Sequence, residues 1–137
     1  MKFKKLNSAR EVNVNVSKYL IDWDHAVSKP QKAVKDFLYP FWKGHIVLEE
    51  FRIPGSLLRI DLLNLTRRIA IEVSPSSSHS FNKFFHKDRF RFGRAVGRDL
   101  QKRPWCEQND IQLIEIFDTD IPLLSRKWFK DVGEIEL

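Results

Sequence analysis

The chain has 137 residues, 42% of them hydrophobic, and 24 Lys and Arg against 18 Asp and Glu give a net charge of +6. That length and composition suit one globular domain with its own core, and no apolar run approaches the ~18 residues of a membrane span. The single cysteine, Cys106, excludes an internal disulfide framework and a multi-cysteine metal site, and the basic balance calls for a polyanionic partner.

Residues 1–27 read as an N-terminal arm or extension ahead of a domain over 28–137. Within the arm, Val12, Val14 and Val16 alternate with Asn13 and Asn15, which suits a short strand or an extended segment. Ser28 and Pro30 predict a helix start, and Val34, Phe37, Leu38 and Phe41 carry a helix over 29–42. Three strands follow over 45–53, 57–65 and 68–74, the first stopped by Pro54-Gly55 and the third by Pro75 and serines. Connections this short leave no room for helical crossovers, so the three strands are expected to form an antiparallel meander.

Ser80 can cap a long helix running to about Arg103, before Pro104. Phe81, Phe85, Phe92, Val96 and Leu100 share one side of it, and Lys83, Lys87, Arg91, Arg94, Arg98 and Lys102 form a stripe along another. Residues 110–117 read as a fourth, central strand, and 121–129 as a short closing helix carrying Trp128. The expected fold is α/β: a helix, a three-stranded antiparallel meander, a long helix and a strand, with helices covering the sheet.

Asp61 and Glu72 stand inside otherwise apolar strands, where a carboxylate is costly to bury unless it is paired or bound to a metal. A turn centred between residues 66 and 67 sets Asp61 opposite Glu72. Two carboxylates that close repel, and one pKa rises unless a divalent cation neutralises both. Oxygen ligands suit Mg²⁺ or Mn²⁺ better than Zn²⁺. The competing arrangement is an exposed sheet face with each acid paired to Arg59, Arg67 or Arg68. Of the remaining residues, His45 reads as a surface side chain, His25 as a local partner of Asp24, Cys106 as an inert thiol and the four tryptophans as packing groups.

Asp61, ten intervening residues and then Glu72-Val73-Ser74, in this order of elements, resembles the PD-(D/E)XK nuclease superfamily, with Ser74 where that pattern has lysine. His79, seven residues after Glu72, and Asp88 beyond it make the chain similar to the very-short-patch-repair-like branch. The likeness is greatest to small phage-type homing endonucleases with a Glu, Asp, His, Asp signature. The resemblance implies a restriction-endonuclease-like core and an endonuclease that hydrolyses double-stranded DNA with Mg²⁺, for which Mn²⁺ can substitute. Its setting would be the cytoplasm of a bacterium or of a phage-infected host.

In that resemblance Asp61 is the central metal ligand and Glu72 a second, and Glu50, preferred over Glu49, completes the acidic cluster. His79 acts as general base or transition-state stabiliser in place of the lysine, and Asp88 orients it or the attacking water. Lys83 and Lys87 are candidates for a migrated lysine, and His86 for a phosphate contact. A homodimer would bring two such sites to two strands. The rival readings are a Holliday-junction resolvase on the same core and a non-catalytic DNA-binding module on a degenerate nuclease fold. Residues 83–103 hold eight cations against Asp88 and Asp99, a surplus equal to the whole net charge. That stripe, starting just after His79, is expected to contact phosphates.

Overall fold

The predicted meander is present as β3 (Val47–Arg52), β4 (Arg59–Asn64) and β5 (Ile69–Ser74), all antiparallel, in a computed structural model that describes residues 1–75 and 99–137. The β4–β5 turn closes because the Asn64 side-chain oxygen accepts the Arg67 N–H at 2.9 Å and Arg68 adopts a left-handed φ of 57°. The register that results, Leu62 with Ile71 and Asn64 with Ile69, is the one centred between residues 66 and 67.

A fourth strand, β6 (Gln112–Phe117), pairs parallel to β5, and among the described residues the sheet order is β3-β4-β5-β6. Among the described residues it is therefore an edge strand and not the central one expected. Its apolar sequence reflects cover on both faces, as in parallel strands generally: Ile114 and Ile116 enter one core cluster and Leu113 the other. The fold is thus mixed α/β, with this four-stranded mixed sheet and a separate two-stranded antiparallel one.

On one face lie α1 (Lys29–Trp42) and α3 (Arg126–Gly133), whose Val34, Leu38, Trp42 and Phe129 pack with Leu62, Ile71, Ile114 and Ile116. Helix α1 has the predicted bounds, and its Ser28 cap accepts the Gln31 N–H at 3.3 Å. Gly133 passes so close to the sheet that a Cβ there would stand 2.7 Å from Ile114 Cδ1.

On the other face, Trp105 and Cys106 of α2 (Asp99–Gln108) pack with Leu48, Phe51, Leu63 and Ala70. This helix does not stop before Pro104 but runs through it to Gln108. The proline forfeits one backbone hydrogen bond, and Trp105 and Cys106, buried beyond it, hold the next turn on the sheet. The start expected at Ser80 lies outside the described residues.

The N-terminal segment is docked on this second face, not extended. Strands β1 (Lys2–Lys4) and β2 (Glu11–Asn13) form a hairpin, and Phe3 packs against Phe51 and Trp105 with ring centroids 5.1 and 5.9 Å away. Trp105 Nε1 donates to the Lys4 carbonyl at 2.7 Å. The valine alternation gives only three strand residues, because Val16 enters a 3-10 turn over Val16–Tyr19 that Asn15 caps. The single closing helix expected over 121–129 is instead a 3-10 segment over Asp118–Leu123, containing Pro122, followed by α3 with Ser125 as its cap. No helix among the described residues is long and apolar enough to cross a membrane.

One distortion matters for the site. Leu48 and Phe51 both enter the second cluster, as do Ile60 and Leu63, although residues three apart in a regular strand face opposite ways. The parity shifts at Glu50, whose φ is 49°. A left-handed non-glycine residue costs about 1–2 kcal/mol. Glu50→Gly should therefore be at least as stable as the native chain, and Glu50→Val less stable by about 1 kcal/mol or more in urea unfolding. Equal stability of the two variants would contradict a left-handed Glu50.

Candidate active site

The registers place one carboxylate from each strand in a single row. Glu49 pairs with Leu62 and Phe51 with Ile60, so Glu50 lies opposite Asp61. The β4–β5 register continued by one residue sets Asp61 opposite Glu72, and Glu72 is itself paired with Glu115. Adjacent strands are about 5 Å apart, so neighbours in the row lie that far apart in backbone position and the whole row spans about 15 Å of the sheet. Glu115 was not singled out from sequence. The signal was available: it sits inside Leu-Ile-Glu-Ile-Phe as Glu72 sits inside Ile-Ala-Ile-Glu-Val.

At Asp61 and Glu72 the side chains take over the work of the ladder. The Asp61 N–H donates to Glu72 Oε2 and the Val73 N–H donates to Asp61 Oδ2, each at 2.8 Å. These two crossed bonds lock both carboxylates at the place where β4 and β5 part. From α2, Lys102 Nζ donates to Glu72 Oε1, and Ser74 Oγ donates to Glu115 Oε2 at 3.1 Å. The group lies inside the protein: Glu72 is 5% exposed, Glu115 4% and Lys102 9%.

Burial pushes the Glu72 carboxyl up to about 7; the Asp61 charge adds to that rise and Lys102 opposes it. Cys106, one turn beyond Lys102, is raised to about 12, chiefly by burial and then by the Glu72 charge. It is a packing thiol and no nucleophile. The exposed-acid arrangement does not hold for Glu72, which is buried against Lys102. Arg67 and Arg68 instead bond the carbonyls of Glu136 and Asn109.

The two glutamates of β3 separate cleanly. Glu49 accepts from Lys35 Nζ and from the Asp22 N–H, both at 2.6 Å, and Lys35 also donates to the carbonyls of Asp22 and His25. Lys35 is 1% exposed, so this is a buried latch that ties residues 22–25 to the sheet. Glu50 is half-buried and makes no side-chain hydrogen bond or ion pair with a described residue. His25 pairs with Asp22 at 3.0 Å, not with Asp24, and His45 Nδ1 meets Asn64 Nδ2 at 3.0 Å.

His79, Lys83, His86, Lys87, Asp88, Arg91, Arg94 and Arg98 lie outside the described residues. Lys102, read from sequence as one of the phosphate-contacting stripe, is enclosed in the acidic site with its ammonium on Glu72. Spacing alone could not find this, because the pairing of Lys102 with Glu72 depends on where the crossover returns.

Among the described residues no group of three or more His, Cys, Asp or Glu is arranged to hold a metal ion. Mg²⁺ needs less: it is commonly bound through one or two carboxylates, with water and substrate phosphate completing the octahedron. Asp61 and Glu72, all-oxygen and locked side by side, fit that donor set.

The raised Glu72 pKa makes a signed prediction. Between the ordinary carboxyl value of 4.5 and about 7 the folded chain binds more protons than the unfolded one. Stability therefore falls as pH rises through that window, by up to about 3 kcal/mol. In chelator, the stability of the native chain relative to Glu72→Gln should drop between pH 4.5 and 7.5 in urea unfolding. Parallel pH curves for the two proteins would contradict the burial of an ionising Glu72.

A curated protein of Invertebrate iridescent virus 3, named uncharacterized protein 033L, is 32% identical to this chain over 80 residues. The similarity covers 58% of this chain and 41% of the viral protein. No family model matches the chain, and no solved structure matches it.

Proposed function

We propose that the chain is a metal-dependent endonuclease that hydrolyses phosphodiester bonds in double-stranded DNA, of a homing or repair type, on a restriction-endonuclease-like core. The observation that carries this reading is the locked pair of half-buried Asp61 and buried Glu72, placed where two strands part and met by the Lys102 ammonium. Structural ion pairs also lie buried in proteins, but this one brings a second carboxylate with it and a strained glutamate in the neighbouring strand.

Mg²⁺, with Mn²⁺ as a substitute, is the cofactor in this reading; Asp61 and Glu72, with Glu50, would hold it, and it would supply Lewis-acid polarisation of a phosphoryl oxygen and acidify the attacking water. The chain's own residues do the rest. The crossed backbone bonds hold the Asp61 and Glu72 oxygens in place, so no reorganisation is needed when charge develops. Lys102 opposes part of the rise that burial imposes on Glu72 and sets an ammonium beside the reacting phosphate, where Ser74 leaves none. Ser74 orients Glu115 at the end of the row. His79 as proton acceptor, Asp88 as its orienting acid and the basic stripe as phosphate clamp complete the reading as the resemblance implies them.

The test is nicking of supercoiled plasmid in Mg²⁺ or Mn²⁺. Asp61→Asn should lower cleavage by about 100-fold or more while the unfolding midpoint and duplex binding stay close to native. Full cleavage by Asp61→Asn would overturn the assignment. A native chain that shifts duplex DNA but never cuts it would support the non-catalytic module, and preferential cutting of four-way junctions the resolvase.

A further inference from the structure

The turn between β3 and β4 carries a feature that the acidic row does not use. A cleft of about 450 Å³ opens there, lined by Lys18, Tyr19, Arg52, Gly55, Ser56 and Leu57 among others. Residues 1–20 and 51–60, which meet at this end of the sheet, contain Lys2, Lys4, Lys5, Arg10, Lys18, Arg52 and Arg59 but only the acid Glu11. None of the seven cations forms an ion pair with a described residue.

We propose that this cleft is a contact surface for the sugar–phosphate backbone of duplex DNA, an inference that rests on the nuclease reading and names where the substrate is held. Arg52 and Arg59 are directly opposite in the β3–β4 ladder and both are exposed. Like charges facing each other across strands destabilise the pair, so a polyanion that lies over them removes a standing repulsion.

The cations are also held in place. Arg52 Nε donates to the Ser56 carbonyl at 2.8 Å, which fixes the plane of the guanidinium. Lys18 Nζ sits 5.2 Å from the Tyr19 ring centroid. Gly55, with φ 83°, lets the Lys5 side chain pass close, since a Cβ would stand 3.3 Å from Lys5 Cβ and Cε. The Leu6 N–H then closes on the Pro54 carbonyl at 2.8 Å. A planar, positioned guanidinium suits phosphate oxygens in a way a mobile surface charge does not.

The location agrees with the occupant. Arg52 follows Glu50 by two residues and Arg59 precedes Asp61 by two, about 7 Å along the strands toward the β3–β4 turn. A nucleic-acid strand with a phosphate about every 3.4 Å of axis and one phosphate at the acidic row presents its next phosphates over that distance. Such contacts would position the duplex without reading its sequence.

The test measures binding of a short duplex in chelator, so cleavage plays no part, across a salt series. The triple variant Lys18→Gln, Arg52→Gln, Arg59→Gln should weaken binding and reduce the slope of log K against log salt by about 2–3. The control variant Arg126→Gln, Lys127→Gln, on α3, should leave both unchanged. A native slope in the triple variant would overturn the cleft while leaving the nuclease reading standing. Absence of any duplex binding by the native chain would overturn both. Loss of binding to phosphatidylserine vesicles with duplex binding intact would make the cleft a membrane surface and overturn the proposal.

Discussion

Everything at the centre of this fold follows from a carboxylate that the sheet buries. Glu72 is nearly inaccessible, and its environment favours the protonated acid over the anion. Three groups answer it: the Asp61 amide, the Lys102 ammonium and the Asp61 carboxylate. Two of these stabilise the charge and one opposes it. An isolated buried ion pair of this kind is commonly no more stabilising than apolar residues of the same size. In the function proposed above, its value to the chain lies in what the fixed charges can do for a phosphodiester and an attendant cation.

The same row explains why the sheet is irregular where it is. The β3–β4 ladder is interrupted at Glu50 and Asp61, and Glu50 takes up a left-handed conformation that a glutamate adopts only at a cost. Beyond that point both strands turn Phe51 and Ile60 into the Trp105 cluster, which anchors the N-terminal hairpin. The strain thus has a structural consequence on one side and a half-buried carboxylate beside Asp61 on the other. On the α1 face, Lys35 and Glu49 fasten residues 22–25, so the two adjacent glutamates of β3 have divided into a latch and a half-buried carboxylate opposite Asp61.

What the sequence revealed was local. Helix α1, the meander and the Asp61–Glu72 register were legible because a cap, a proline and short turns leave few alternatives. What it concealed depended on the long crossover between β5 and β6. The parallel pairing that brings Glu115 to Glu72 has no short-range signal, and neither has the return of α2 that puts Lys102 into the site. Pro104 misled for a related reason: tertiary burial of Trp105 and Cys106 outweighs a local break. The docking of residues 1–20 was likewise hidden, since Phe3 has no periodic neighbours to mark it as core.

The most direct measurement is the binding of Mn²⁺, counted by the loss of its free-ion paramagnetic resonance signal, for the native chain and for Asp61→Asn. If Asp61 and Glu72 form a cation site, the native chain takes up about one ion and Asp61→Asn, though folded, takes up none. Equal uptake by the two proteins, or none by the native chain at millimolar Mn²⁺, would contradict it.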